Sequence, residues 1–248
     1  MSHTSMHWPY PRWIAHRGAG KLAPENTLAA FRVGAQHGYR MFECDAKLSS
    51  DGMVFLMHDA MLERTTNGQG VAGEQTWAQL QQLDAGAWHS STFAGESLPT
   101  LAQIAQFCLA NGYGLNIEIK PTPGTEALTG DRVARQAATL WANAAVGPLL
   151  TSFKPEALRA AKMAAPHLPR GLLLDTLWQG WTEIAAELEC CAVVFNYKLL
   201  NQELLAQVHQ NGLRCLAYTV NSQESVDQLT TWQIDGLITD RVDLFDPT

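Results

Sequence analysis

From about residue 100 onward, short β-rich runs alternate with stretches of helical periodicity. The runs are LNIEIK (115–120), LLTSF (149–153), RGLLLD (170–175), AVVFNY (192–197), RCLAYTV (214–220) and DGLITD (235–240). Between them, residues 131–145, 155–165, 180–190, 201–211 and 222–233 read as crossover helices, several opening on Asp, Ser or Asn caps and closing near Gly or Pro. Upstream, RWIAHRG (12–18) and MFECDAKLS (41–49) flank a helix expected over about 25–37, started by Pro24-Glu25-Asn26 and stopped by Gly38. The count is eight strands if MVFLMHD (53–59) folds back on 41–49 as a hairpin through Ser50-Asp51-Gly52. Eight β/α repeats in 248 residues predict an α/β fold of the TIM (β/α)8 barrel type rather than a doubly wound sheet. The last residues, VDLFDPT, leave only a stunted eighth helix. Residues 60–97, rich in Gly, Thr, Ser and Gln with one short helical stretch near 76–83, are expected to form a small insertion capping the C-terminal mouth.

No linker or composition break divides the chain, so a single domain spanning 1–248 is expected. A hydrophobic content of 46% with 17% charged residues suits a globular protein with a substantial core. The net charge of −7 and the lack of a basic run exclude a nucleic-acid partner, while a small anionic substrate would need only a local positive pocket. Cys44, Cys108, Cys190, Cys191 and Cys215 form an odd set without CxxC spacing, mostly in apolar runs, which fits core positions and a reducing cytoplasm. MSHTSMHWPYPR contains no apolar secretory region. Residues 100–117 carry no charge, but Gln103, Gln106, Asn111, Gly112 and Asn116 interrupt them, so no membrane span and no stable membrane association are expected.

Alternation along 41–49 sends Met41, Glu43, Asp45 and Lys47 to one face, and Phe42, Cys44, Ala46 and Leu48 to the other. On an isolated strand this is an ordinary solvated face; in a barrel, charged residues near a strand's C-terminal end have only the catalytic mouth available. Glu118 and Lys120 close the next barrel strand in the same way, either as an ion pair or as part of a site. Two carboxylates about 4 Å apart repel by about 4 kcal/mol at an effective dielectric near 20, and a cation would remove that cost; protonation is the alternative. An all-carboxylate set suits Mg²⁺ or Ca²⁺ better than zinc. His16 and Arg17 end the first strand beside Gly18, and the proposed hairpin carries His58 toward the same mouth, where two histidines can serve as base and acid. Arg17 offers a planar fork to phosphate. His3 and His7, in a start expected to lack structure, together with His37, His89, His167 and His209, stay outside this arrangement.

His16-Arg17-Gly18, the PENT string at 24–27, Glu43-x-Asp45, His58-Asp59 and Glu118-x-Lys120 occur in an order that resembles the glycerophosphodiester phosphodiesterase family. LERTTNGQG (62–70), DAGAW (84–88), LPTL (98–101), YTVN (218–221) and DGLITD extend the resemblance over nearly the whole chain. WPYPR (8–12), GKLAPENTLAA (20–30) and PRGLLLD (169–175) look most similar to its short cytosolic bacterial members that serve glycerol-phosphate uptake. The resemblance implies one divalent cation, Mg²⁺ first with Ca²⁺ or Mn²⁺ as alternatives, held by Glu43, Asp45 and Glu118. It further implies His16 as general base, His58 as general acid, and Arg17 and Lys120 as phosphate-binding cations, with Glu25 and Asn26 supporting the site. The implied reaction releases sn-glycerol 3-phosphate and an alcohol from small glycerophosphodiesters such as glycerophosphocholine or glycerophosphoethanolamine. Either water or the substrate's 2-hydroxyl could attack, and a homodimer is open. Tyr218 stands where the family commonly has Trp and is expected to touch substrate; Cys44 stands where a bulky apolar residue is usual. Two other readings are a lysophospholipase D or lyase that ends on a cyclic phosphate, and a silent barrel that only binds glycerol phosphates.

Overall fold

The computed structural model describes residues 8–247. Its strands are β1 (Trp13–Ala15), β2 (Met41–Leu48), β3 (Val54–Leu56), β4 (Gly114–Ile119), β5 (Leu149–Ser152), β6 (Arg170–Leu174), β7 (Ala192–Asn196), β8 (Arg214–Tyr218) and β9 (Gly236–Thr239). They run in the spatial order β1-β9-β8-β7-β6-β5-β4-β2, and pairing of Ala15 in β1 with Phe42 in β2 closes the circle. All contacts around this ring are parallel, whereas β3 lies antiparallel on β2 with Phe55 opposite Lys47. The eight-stranded TIM barrel with one hairpin strand outside the count is therefore the observed fold.

The helices are α1 (Leu28–Gln36), α2 (Trp77–Leu80), α3 (Leu101–Asn111), α4 (Glu126–Leu140), α5 (Pro155–Ala164), α6 (Trp181–Glu187), α7 (Gln202–Gln210) and α8 (Gln223–Thr231). α4 begins five residues before the expected 131 and ends five before the expected 145, and three further differences have local reasons. α1 starts after the PENT string, because Asn26 takes a left-handed φ of 61° and Thr27 is the cap, its Oγ1 accepting from the Ala30 N–H at 3.2 Å. α3 was not foreseen: Thr100 and Gln103 form a capping box, Leu101, Ile104, Ala105 and Cys108 make its buried stripe, and Gly112 at φ 68° ends it. The expected stunted helix after β9 is a turn only, among the described residues.

Period-two alternation sorts the strand residues into two cores. Phe42, Cys44, Ala46, Leu115 and Ile117 face outward into the layer under the helices. Ile14, Met41, Leu149, Leu173, Val194, Leu216 and Ile238 fill the barrel's interior. Above that apolar floor the inward residues turn polar: Glu43, Asp45, Asn116, Glu118 and Thr151, all buried. α4 and α5 approach so closely that a Cβ on Gly130 would stand 2.1 Å from the Ala157 carbonyl oxygen. Residues 60–97 carry a small apolar cluster of their own around Leu62, Ala72, Leu80 and Ala85. This segment is tied to the first turn of α1 by Glu96, which accepts from the Ala29 N–H at 3.1 Å, and to the loop before it by Arg64, which grips Glu25. Among the described residues no helix is long and apolar enough to cross a membrane. The five cysteines are free, and Cys44 is buried away from the acids that flank it.

Candidate active site

β2 and β4 run in register with Asp45 opposite Glu118, and Glu43 precedes Asp45 on the same inward face. One oxygen from each of these three buried acids lies within 4.8 Å of the others. The arrangement strains their ionisation. Burial, then Asp45 and Glu118, push the Glu43 carboxyl well above its ordinary range. Burial and Asp45 push Glu118 up to about 7, although Lys120 pulls the other way. Burial also opposes the charge on Asp45, but Arg17, Lys120 and His58, with the Asn26 hydrogen bond, outweigh it and hold Asp45 below the usual carboxylate range. Glu118 Oε1 is buried and accepts no well-directed hydrogen bond, even though Lys120 Nζ comes within 2.7 Å. Three crowded oxygen donors, one of them unsatisfied and none of them sulfur or imidazole, fit a hard divalent cation.

Each histidine is held by its own carboxylate. His16 follows β1 directly, and its Nδ1 lies 2.6 Å from Asp240 Oδ1, at the end of β9. Asn221 fixes Asp240 in turn, donating from Nδ2 to Oδ2 at 2.9 Å and accepting from the Asp240 N–H at 2.9 Å. This leaves His16 Nε2 toward the acids, 3.8 Å from Glu43 Oε2. His58 stands just past β3, with Nδ1 2.6 Å from Asp59 Oδ1. Arg64 clamps Asp59 and reaches both oxygens of Glu25 at 2.8 Å. Burial, with Arg17 and Lys120 nearby, lowers the His58 pKa against the opposing pull of Asp45 and Asp59.

Arg17 has a left-handed φ of 52°, and its N–H donates to Glu43 Oε2 at 3.0 Å. Its guanidinium bonds Glu25 at 2.8 Å and approaches Asp45 at 3.3 Å. The following Gly18, at φ 100°, packs against α1 so tightly that a Cβ would lie 2.8 Å from that of Ala30, so only glycine passes there. Lys120 Nζ lies 3.5 Å from Asp45 and 5.6 Å from the Phe153 ring centre. Tyr218, ending β8, stands edge-on to Phe153 with centroids 5.8 Å apart and donates its hydroxyl to the Leu174 carbonyl at 3.1 Å.

His16, Arg17, Glu43, His58, Glu118, Lys120 and Tyr218 all line one cavity of about 150 Å³ at the C-terminal end of the barrel. Asp45 sits behind them, bonded to Asn26 on both sides: Asn26 Nδ2 donates to Asp45 Oδ2 at 2.8 Å, and the Asp45 N–H donates to Asn26 Oδ1 at 3.0 Å. A wider groove of about 610 Å³ lies at the strands' N-terminal ends, between Pro9, Arg40, Tyr113 and Trp141, but it gathers no acid and no histidine. His37, His89, His167 and His209 stay out of the mouth cavity, while His3 and His7 lie outside the described residues. Sequence reasoning passed over Asp240, Asn221, Asn116 and Thr151. The signal for Asp240 was available: it ends a barrel strand on the catalytic face.

The chain matches the model of the Glycerophosphoryl diester phosphodiesterase family over residues 16–244. It is 34% identical over 232 residues to a glycerophosphodiester phosphodiesterase of Caldanaerobacter subterraneus, covering 92% of this chain and 93% of that one. A glycerophosphodiester phosphodiesterase of Bacillus subtilis is 30% identical, with 94% and 84% covered. Among solved structures, an Oleispira antarctica phosphodiesterase in complex with the product sn-glycerol-3-phosphate superposes with a TM-score of 0.87 at 30% identity, over 93% of each chain.

Proposed function

Because the chain belongs to the Glycerophosphoryl diester phosphodiesterase family, we propose that its mouth cavity hydrolyses small glycerophosphodiesters to sn-glycerol 3-phosphate and an alcohol. The observation that carries this reading is a buried carboxylate triad flanked by two histidines, each with Nδ1 held by an acid. Glu43, Asp45 and Glu118 would hold the divalent cation. Mg²⁺ is our first choice for an all-oxygen donor set, with Ca²⁺ and Mn²⁺ as alternatives. When bound, the cation relieves the mutual repulsion of the acids and draws charge from the phosphate oxygens.

Arg17 and Lys120 present fixed positive charge to the same phosphate, already oriented by Glu25 and by Glu118 with Asp45. His16 keeps its Nδ1 proton on Asp240, so Nε2 is the atom that takes a proton from the attacking water. The water oxygen bonds to phosphorus as the bond to the leaving alcohol breaks. His58, turned by Asp59, returns a proton to that alcohol from Nε2. Free cysteines suit a reducing compartment, and we place the enzyme in the cytoplasm.

The test is incubation with glycerophosphocholine, measuring glycerol 3-phosphate and choline. Equal release that EDTA abolishes and Mg²⁺ restores best is the expected outcome. Accumulation of a cyclic phosphate would move the reaction to the lyase class, and no metal-dependent product would leave only a binding barrel.

A further inference from the structure

Asn116 is 1% exposed yet lines the mouth cavity, on the inward face of β4 two residues before Glu118 and level with Glu43 across the sheet. Thr151 Oγ1 donates to its Oδ1 at 2.8 Å. Its Nδ2 has no hydrogen-bond partner among the described residues. Nδ2 is not among the buried side-chain atoms left without a partner, so it opens onto the cavity, where an oxygen of the substrate can pair with it. Leu173 and Ile238 line the same cavity and are apolar. A hydroxyl both donates and accepts, so it would satisfy the amide in either orientation of the side-chain plane. Two strand residues span about 6.6 Å, which sets Asn116 roughly one phosphate-to-hydroxyl reach below Glu118.

We propose that Asn116, braced by Thr151, is a specificity-determining residue that reads a hydroxyl on the glycerol arm of the diester. This rests on the phosphodiesterase reading of the same cavity. The amide touches neither histidine, so its effect falls on which arm enters and how it is held.

The experiment compares glycerophosphocholine with its 2-deoxy and 3-deoxy analogues, using wild type, Asn116→Ala and Thr151→Val, with Mg²⁺ present and folding checked by thermal melts. Wild type is expected to prefer glycerophosphocholine over at least one analogue by about 10- to 100-fold in kcat/KM. Asn116→Ala should lose about that factor on glycerophosphocholine and little on that analogue, so the ratio collapses toward one. Thr151→Val, which keeps the shape but frees the amide to turn, should reduce the ratio several-fold. Equal losses on all three substrates would make Asn116 a support of Glu43 and overturn the proposal. If Asn116→Ala does not fold, an unchanged ratio in Thr151→Val overturns it. An inactive wild type removes the hydrolase reading and the subsite with it, whereas an active wild type with an unmoved ratio removes the subsite alone.

Discussion

Replacing Glu118 by Gln should stabilise the metal-free protein at high pH and not at low pH. Glu118 is raised from an ordinary 4.5 to about 7, chiefly by burial and by Asp45. Its charged form is therefore about 3 kcal/mol costlier in the folded protein than in the unfolded chain. An acid raised on folding binds more protons in the native state, so stability falls as pH rises. The penalty is absent below about 4.5 and complete above about 7. Glutamine removes the ionisation, and comparing two pH values cancels whatever else the substitution does to packing or to Lys120. In EDTA, the melting temperature of the variant relative to wild type should therefore climb between pH 5 and pH 8. For a chain of this size, about 3 kcal/mol corresponds to about 6–12 °C. Saturating Mg²⁺ should then close most of that gap at pH 8, because a cation at 100 times its Kd adds about 2.7 kcal/mol to wild type and the variant has lost one ligand. Parallel melting curves at both pH values in EDTA would refute the ionisation argument, and an equal Mg²⁺ gain in both proteins would refute Glu118 as a ligand.

Asn26→Ala strands the buried Asp45 N–H and Oδ2 together and puts alanine at a left-handed φ of 61°. A loss of about 2–4 kcal/mol is expected in chemical denaturation, with weaker Mg²⁺ binding by calorimetry. Asp240→Asn should cut kcat at least about tenfold with little change in KM, since His16 loses the acid that sets its proton. Asp240 itself is held down to about 2: burial opposes its charge, but the His16 and Asn221 hydrogen bonds outweigh it. Its contribution of about 2 kcal/mol is present above pH 4 and lost as pH falls toward 2, so acid titration of wild type should show a stability drop that the variant lacks. Gly130→Ala drives a methyl into the Ala157 carbonyl and should lower stability by about 1–3 kcal/mol, with KM unchanged by steady-state kinetics.

Most of the eight parallel strands were legible because they are bounded by turn residues and followed by an amphipathic stretch; β2, followed by its hairpin, and β9, followed by a turn, were legible from their own β-rich runs. α3 is less legible because its segment carries no charge to mark a polar face, although a capping box at Thr100 and Gln103 and the stripe Leu101, Ile104, Ala105, Cys108 define it. Helical character was assigned too early at the PENT string, where Asn26 gives its backbone to a left-handed turn and its side chain to Asp45. The local pattern could say which residues share a face; it could not say which loop side chain bridges to a strand nineteen residues away.

By itself, the sequence determined the barrel, the inward direction of Glu43, Asp45 and Glu118, and the arrival of His16 and His58 near one mouth, because period-two alternation and strand count are local properties of the chain. What held those groups was decided only in three dimensions. Asp240 meets His16 across 224 positions of sequence, Arg64 meets Glu25 across 39, and Asn116 meets Thr151 across 35. Closure of the sheet brings the last strand beside the first, and burial in that closed space raises Glu43 and Glu118, turning three ordinary acids into a set that a divalent cation fits.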